Sequence, residues 1–201
     1  MRGPVYCCKS ESTGALVQGF EYALILLSVL VGLGLSDVAA SLHKLLALGR
    51  SVRWDGRVII STALVVETTV RMWFDVWTLR SVPYVLTFGF YLSLVIEFML
   101  LFLMASACLP DDAADNSDLK LFYDKSSQRF WLIFALFLTS YFGHWLLFTQ
   151  FRASLTAWFV TLSPLGLAIV LAALRFRPLH YALPLAMLVF DLALSWQRQF
   201  A

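Results

Sequence analysis

The chain has 201 residues, of which 60% are hydrophobic and 14% are charged, and its mean hydropathy is +0.78. Soluble domains average about 45 to 50% apolar and about 25% charged residues, so this composition excludes an ordinary water-soluble globular protein. The net charge is only +2, and no stretch rich in lysine or arginine stands out, which excludes a nucleic-acid partner. The composition indicates an all-α integral membrane protein whose surroundings are a lipid bilayer.

The spacing of charged residues divides the chain into helices of similar length. Five pairs of charged residues, beginning with Glu21 and Lys44, are each 23 positions apart. At about 1.5 Å per residue this interval is about 34 Å, which is the thickness of the hydrocarbon core plus a margin. The sequence therefore predicts a single membrane domain over residues 1–201, a six-transmembrane-helix bundle with short loops. The predicted helices are about 20–44, 58–80, 83–108, 129–150, 153–175 and 178–198, with a polar linker at about 109–128.

Lysine and arginine are unevenly distributed between the two ends of the predicted bundle. Nine lie on the side opposite the termini and five lie on the terminal side. Because cytoplasmic loops carry the excess of these residues, both termini are predicted on the non-cytoplasmic side of a multi-pass protein. Aromatic residues of the side opposite the termini are expected in the headgroup layer, where tryptophan and tyrosine concentrate. These residues are Trp54, Tyr123, Trp131 and Tyr181.

Three of the helices carry packing or bending signals. A ridge of small side chains recurs at every fourth position of helix 1: Ser28, Gly32, Ser36 and Ala40. Such a ridge lets two helices approach closely in lipid, so it predicts a helix contact and makes a homo-oligomer or a larger membrane complex a candidate state. Pro164 and Pro184 lie inside helices 5 and 6, where proline removes a backbone hydrogen bond, so we expect a kink at each.

Seven ionisable residues interrupt the apolar stretches: Asp37, Glu67, Arg71, Asp75, Glu97, His144 and Asp191. A charge at the bilayer centre costs about 2.5 to 3.5 kcal/mol on insertion scales, so such residues turn inward, pair and mark functional pathways. Counted along the helices at about 1.5 Å per residue, they span depths from about 8 Å at Asp75 to about 24 Å at Asp37. We therefore expect a ladder of polar groups through most of the membrane.

Helix 2 carries the strongest pattern among these residues. Glu67, Arg71 and Asp75 are spaced four apart and share one helix face, so the arginine can neutralise part of both carboxylates. The pattern is typical either of a structural ion-pair rail or of the polar wall of a water-filled path. Glu97 and Asp191 have no cation on their own helices. Arg71 is an expected partner of either acid, and a protonated Glu97 is the alternative.

His144 is the one histidine inside an apolar stretch, and it is a second expected partner of Asp191. Histidine titrates near physiological pH and also ligates haem and pigments, although an embedded histidine is more often a hydrogen-bonded packing residue. No metal site is expected. His43 and His180 lie near the opposite interface, and the chain has neither an HExxH pattern nor paired cysteines at ligand spacing.

These features favour a small channel or carrier for protons, monovalent cations or a small polar solute, with the seven ionisable residues lining the pathway. The alternative is an accessory or assembly subunit of a larger membrane complex, with a pigment or haem at His144 as one variant of it. An intramembrane enzyme has the weakest support, because no nucleophile, base and oxyanion group occur at recognisable spacing. No catalytic residue is assigned, and no cofactor is required by the sequence.

Overall fold

The computed structural model describes residues 9–79, 87–110, 118–148 and 155–196. Within these ranges the chain is helical and contains no strand. The helices are α1 (Lys9–Leu48), α2 (Gly56–Thr78), α3 (Phe88–Cys108), α4 (Leu119–Phe148), α5 (Leu155–Ala173) and α6 (Leu179–Ser195). Three stretches are long and apolar enough to cross a membrane: Phe20–Ser51, Phe88–Cys108 and Leu119–Leu147. The predicted all-helical architecture is confirmed, and it is consistent with a helical membrane bundle.

Two helices extend beyond the expected bounds. α1 runs from Lys9 to Leu48, so it is longer at both ends than the expected 20–44. α4 begins at Leu119, so the last part of the expected polar linker is helical, while residues 111–117 of that linker lie outside the described residues. The early start of α4 has a local cause. The carboxylate of Asp118 accepts hydrogen bonds from the backbone N–H groups of Lys120 and Leu121, as an N-cap residue does.

α3 and α4 form the centre of the bundle. α3 packs against α1, α2 and α4, while α5 packs on α4 and α6 packs on α2. The largest buried side chains are aromatic and lie at this centre: Phe90 and Phe98 of α3, and Trp131, Phe134 and Phe137 of α4. α5 and α6 follow each other in the chain but contact each other little, because each packs on a different neighbour. Both continue across their prolines, Pro164 and Pro184, and the kinks expected there stay predictions.

α1 packs on α3 through a face other than the ridge of small residues. The buried line of α1 contains four large apolar side chains, Phe20, Leu27, Val38 and Leu45, together with the smaller residues Ala23, Gly34 and Ser41. A Cβ atom added at Gly34 would lie 3.6 Å from the Cβ of Ala105 and 3.7 Å from the Cα of Phe102. Gly34 therefore lies directly against the α3 residues Phe102 and Ala105.

The four ridge residues, Ser28, Gly32, Ser36 and Ala40, are all exposed. The expected contact through the ridge is therefore not formed with another described helix of this chain. The reason is that the ridge and the line of large side chains lie on different faces of α1. The face with the large side chains is the one that packs against α3. A contact of the ridge with a second molecule stays a prediction.

The different surroundings of Gly34 and Gly32 lead to a matched pair of substitutions. We expect Gly34→Ile to lower the free energy of unfolding by about 1 to 3 kcal/mol, because the larger side chain pushes against α3. Gly32→Ile should change it by less than about 0.5 kcal/mol, since no atom lies within 4 Å of a Cβ there. Chemical unfolding in detergent micelles measures both values. Equal effects would mean that the packing face of α1 is wrongly assigned.

Candidate functional site

Glu97 of α3 and His144 of α4 form a buried pair at the centre of the bundle. The Oε1 atom of Glu97 lies 3.1 Å from Nδ1 of His144. Glu97 is 0% exposed and His144 is 5% exposed, so the pair is shielded from the surroundings of the protein. The sequence led us to expect either Arg71 or a proton as the partner of Glu97, and the structure places His144 beside it instead.

The hydroxyl of Ser93 is a hydrogen-bond partner of His144. This hydroxyl donates a hydrogen bond to the backbone carbonyl of Phe90 at 2.7 Å, and its oxygen lies 2.7 Å from Nδ1 of His144. A hydroxyl has one proton, so when it is given to Phe90 the serine oxygen accepts from Nδ1–H. The Oε1 atom of Glu97 lies 3.1 Å from the same nitrogen but is not oriented for a hydrogen bond from it. Glu97 and Ser93 therefore both adjoin Nδ1 of His144, and Ser93 is its hydrogen-bond partner.

Arg71 lies between two carboxylates and joins α2 to α6. Its Nε atom lies 3.8 Å from Oε1 of Glu67, and one terminal nitrogen lies 3.8 Å from Oδ1 of Asp191. Asp191 therefore contacts one of the two partners expected for it. Asp75 completes the group, because its Oδ2 atom accepts a hydrogen bond of 3.2 Å from the hydroxyl of Tyr141. These contacts connect α2 with both α6 and α4.

Two cavities reach this group from different sides. The first, of about 390 Å³, lies between α2 and α6 and is lined by Glu67, Arg71 and Trp196 among others. The second, of about 270 Å³, lies between α5 and α6 and is lined by Pro164 and Asp191 among others. Arg71 lines one cavity and Asp191 lines the other. The contact between these two side chains therefore lies between the two cavities.

The seven embedded ionisable residues do not form one cluster. Four of them gather around Arg71, namely Glu67, Arg71, Asp75 and Asp191, and two form the sealed pair of Glu97 and His144. Asp37 is separate on α1, half-buried and close enough to Cys108 to act on it electrostatically. We call these sets the open group around Arg71 and the sealed pair, with Asp37 as a separate acid, and a continuous ladder through the membrane stays a prediction.

A third polar cluster, which the sequence did not lead us to expect, surrounds Arg57 at the beginning of α2. The Arg57 side chain is 3% exposed. It donates to both carboxylate oxygens of Asp55, at 3.0 and 2.8 Å, and to Oδ1 of Asp124 at 2.8 Å. Its guanidinium also lies over the ring of Tyr123, 4.7 Å from the ring centre. Arg57 therefore joins the start of α2 to the first turns of α4.

Asp55 is the N-cap residue of α2 and is held in several ways at once. It accepts from the backbone N–H of Arg57 at 2.8 Å and from the hydroxyl of Tyr181 at 3.3 Å. Burial by itself raises the pKa of Asp55, but the hydrogen bonds from the side chain and backbone of Arg57 outweigh it and hold the pKa below its ordinary value. Asp55 is therefore a firm carboxylate anchor for Arg57.

A chain of hydrogen bonds runs from α4 to the loop between α5 and α6. Trp131 donates to the hydroxyl of Tyr123 at 3.1 Å, and this hydroxyl lies 2.9 Å from Nδ1 of His180. Nε2 of His180 donates to the backbone carbonyl of Leu174 at 2.8 Å, so Nδ1 accepts from Tyr123 in the neutral ring. Trp131 and Tyr123 were expected in the headgroup layer. Both are buried in the protein, and their depth in a membrane stays a prediction.

Only one part of the Arg57 cluster had a visible signal in the sequence, the aspartate one residue before α2, which is the position of an N-cap. Asp124 and His180 are distant from it in the chain, so their approach depends on the tertiary fold. Among the described residues, no group of three or more His, Cys, Asp or Glu could hold a metal ion. Comparisons with protein-family models, with curated proteins and with solved structures return no match.

Proposed function

We propose that this protein is a six-span membrane carrier or channel for protons, monovalent cations or a small polar solute. α2, α5 and α6 have 23, 19 and 17 residues, which at about 1.5 Å per residue is roughly 26 to 35 Å, so they complete the bundle begun by α1, α3 and α4. The lysine and arginine excess places both termini on the non-cytoplasmic side in this proposal. The embedded ionisable residues then lie at membrane depth.

The sealed pair of Glu97 and His144 is the observation that carries the proposal. In this proposal a proton moves between the carboxyl group and the imidazole, whose nearest atoms are 3.1 Å apart and buried. Acidic residues and histidines inside membrane helices are the components of proton relays in pumps and transporters. Proton transfer through this pair is therefore the function that the geometry supports best.

The contact between Arg71 and Asp191 supports a controlled pathway beside this pair. At 3.8 Å it is longer than a charge-assisted hydrogen bond of about 2.7 to 2.9 Å, so a small displacement of α6 breaks it. Breaking it would join the cavity lined by Arg71 to the cavity lined by Asp191. Tyr141, which binds Asp75, lies three residues before His144 on α4. A movement of the open group would therefore displace Tyr141, which lies about one helix turn from His144 of the sealed pair.

Replacing Glu97 by its amide tests the proposal. We expect Glu97→Gln to lower proton flux into proteoliposomes by at least about tenfold, because an amide cannot exchange the proton, while the fold is retained. Asp191→Asn should instead raise flux as a leak, because it weakens the contact with Arg71 that separates the two cavities. Flux is measured with a pH-sensitive dye inside the vesicles, and stability is measured by chemical unfolding of the same preparations.

Asp37→Asn is the matched control, because it removes an embedded carboxylate that lies outside both groups. It should leave proton flux within about twofold of the unmodified protein. If Glu97→Gln and Asp37→Asn had the same flux, or if flux fell only in proportion to lost folded protein, the transport proposal would be wrong.

An accessory or assembly subunit is the second candidate function, and a different observation favours it. Three of the polar contacts that involve embedded residues join different helices: α2 with α6, α2 with α4, and α3 with α4. Charges placed in this way would fix helix positions for docking to other membrane proteins. His144 is 5% exposed, so a haem or pigment would reach it only after the surrounding side chains had moved. Loss of folding in the Glu97 and Asp191 variants would favour this candidate.

A further inference from the structure

A small polar cavity lies beside Arg57, where α2 and α6 begin and α5 ends. Its volume is about 170 Å³, and its lining includes Arg57, Asp124 and Ser127 together with Arg175, Arg177 and His180. Arg175 and Arg177 come from the loop between α5 and α6. In a membrane-spanning bundle the ends of helices lie at the lipid–water boundary. The cavity therefore opens at the level of lipid headgroups.

The arginines of this cavity are only partly neutralised. Arg57 is held by Asp55 and by one oxygen of Asp124. Arg177 contacts the other oxygen of Asp124 at 3.5 Å, a loose ion pair in which the arginine side chain is 59% exposed. Arg175 has no carboxylate within ion-pair distance among the described residues. Three arginines thus face two carboxylates, and the uncompensated positive charge lies at the exposed mouth of the cavity.

We propose that this cavity binds a phosphate group, the one carried by an anionic lipid headgroup or by a soluble phosphate compound. The planar guanidinium presents parallel N–H groups that match phosphate oxygens, and two exposed arginines in one short loop can bind one phosphate from both sides. Arg57 is fixed beneath them by Asp55, and Ser127 adds a hydroxyl. Basic pockets between helices at the cytoplasmic side of a membrane bind phosphorylated headgroups in this way.

The residue between the two loop arginines favours a lipid as the source of the phosphate. Phe176 is 61% exposed, and Leu174 just before the loop arginines is exposed as well. These apolar side chains lie next to the cavity in the chain and provide a surface for an acyl chain attached to the bound phosphate. A soluble phosphate compound would make no use of them.

Lipid binding by the purified 201-residue chain tests this inference. The probe is phosphatidic acid added to micelles that contain phosphatidylcholine, and the bound lipid is counted by native mass spectrometry. We expect the double variant R175Q/R177Q to lose phosphatidic acid affinity by at least about tenfold, since charge-assisted hydrogen bonds are removed. The double variant R50Q/R53Q is the matched control. It removes two exposed arginines of the same end of the bundle, and it should bind as the unmodified protein does.

A substitution of Asp124 should change phosphatidic acid binding in the direction opposite to that of R175Q/R177Q. Its carboxylate competes with the phosphate for Arg177, so Asp124→Asn should strengthen phosphatidic acid binding by about twofold or more, whereas an unspecific loss of structure would weaken it. Thermal unfolding of each variant in the same micelles verifies that the protein is folded. Equal losses in the R175Q/R177Q and R50Q/R53Q variants, or no loss in either, would overturn the proposal.

Inorganic phosphate distinguishes the two sources. If millimolar inorganic phosphate does not displace phosphatidic acid, the site is a lipid headgroup site. If it binds with the same dependence on Arg175 and Arg177 and displaces the lipid, the site takes the phosphate of soluble compounds, and only the preference for a lipid is wrong.

Discussion

Arg57→Ala is expected to lower the free energy of unfolding by about 3 to 5 kcal/mol, because it leaves the buried carboxylate of Asp55 without its cation and leaves Asp124 with the looser ion pair to Arg177. Asp55 is buried and Asp124 is directed at the same guanidinium, 2.8 Å away. The loss also removes the cation from the face of the Tyr123 ring. Chemical unfolding in micelles at neutral pH measures the change. Arg57→Lys should recover only part of it, since a single ammonium cannot make all of these hydrogen bonds.

Arg53→Ala is the matched control for this substitution. Arg53 is four residues away, its side chain is 84% exposed, and its ion pair with Asp118 is 3.8 Å long, so its removal should cost at most about 1 kcal/mol. If the two alanine variants were equally stable, the Arg57 cluster would not hold α2 and α4 together as the structure indicates.

The difference in the free energy of unfolding between the unmodified protein and Arg57→Ala should also depend on pH. The hydrogen bonds from Arg57 hold the pKa of Asp55 below its ordinary value of 3.8. A carboxylate whose pKa is lower in the folded state stabilises the fold above the unfolded pKa, and this contribution is lost as the pH falls through the folded pKa. The stability difference should therefore be constant near neutral pH and shrink below about pH 4. A difference that grew on acidification would contradict this assignment.

Arg71→Leu is the second substitution with a large expected effect. It removes the cation between Glu67 and Asp191 and should destabilise the protein by about 3 to 5 kcal/mol unless these acids take up protons. It should also join the two cavities, because the contact between Arg71 of α2 and Asp191 of α6 that separates them is lost. Chemical unfolding measures the first effect, and the proteoliposome assay for Glu97→Gln measures the second as an increased leak.

A compensating substitution separates the charge effect from a packing effect. In the double variant Arg71→Leu/Asp191→Asn the acid on α6 is neutral, so about 1 to 3 kcal/mol of the lost stability should return. Arg50→Leu is the control for the arginine-to-leucine exchange itself, because Arg50 is exposed and outside the bundle core. If the double variant were no more stable than Arg71→Leu alone, Arg71 and Asp191 would not be coupled.

The embedded residues illustrate which contacts the sequence could predict. Glu67 and Arg71 are four positions apart on one helix, and helix geometry alone places them together, as the 3.8 Å contact shows. Asp191 meets Arg71, one of its two expected partners. Glu97 and His144 were not paired in advance, because the position of a residue along its helix defines its depth but not the direction in which it faces.

The ridge of α1 is a case in which the sequence predicted a contact that is not formed with another described helix. Its four-residue repeat of small side chains is a recognised packing pattern, yet these residues are exposed and α3 packs on the adjacent line of large residues around Gly34. A pattern on one helix indicates which of its faces carry small side chains and which carry large ones. Which face is packed depends on the shape of the neighbouring helix, and the residues that produce this shape lie elsewhere in the chain.

The sequence by itself determined the lipid-compatible composition, the all-helical architecture and the contact between Glu67 and Arg71, since each follows from local hydropathy or from helix periodicity. The tertiary structure alone decided the sealed pair of Glu97 and His144 and the Arg57 cluster with its cavity. Arg57 and Asp124 are 67 positions apart, and Tyr123 and His180 are 57 apart. Contacts over such distances depend on how the helices rotate against one another, because burial of the large aromatic residues of α3 and α4 selects those rotations.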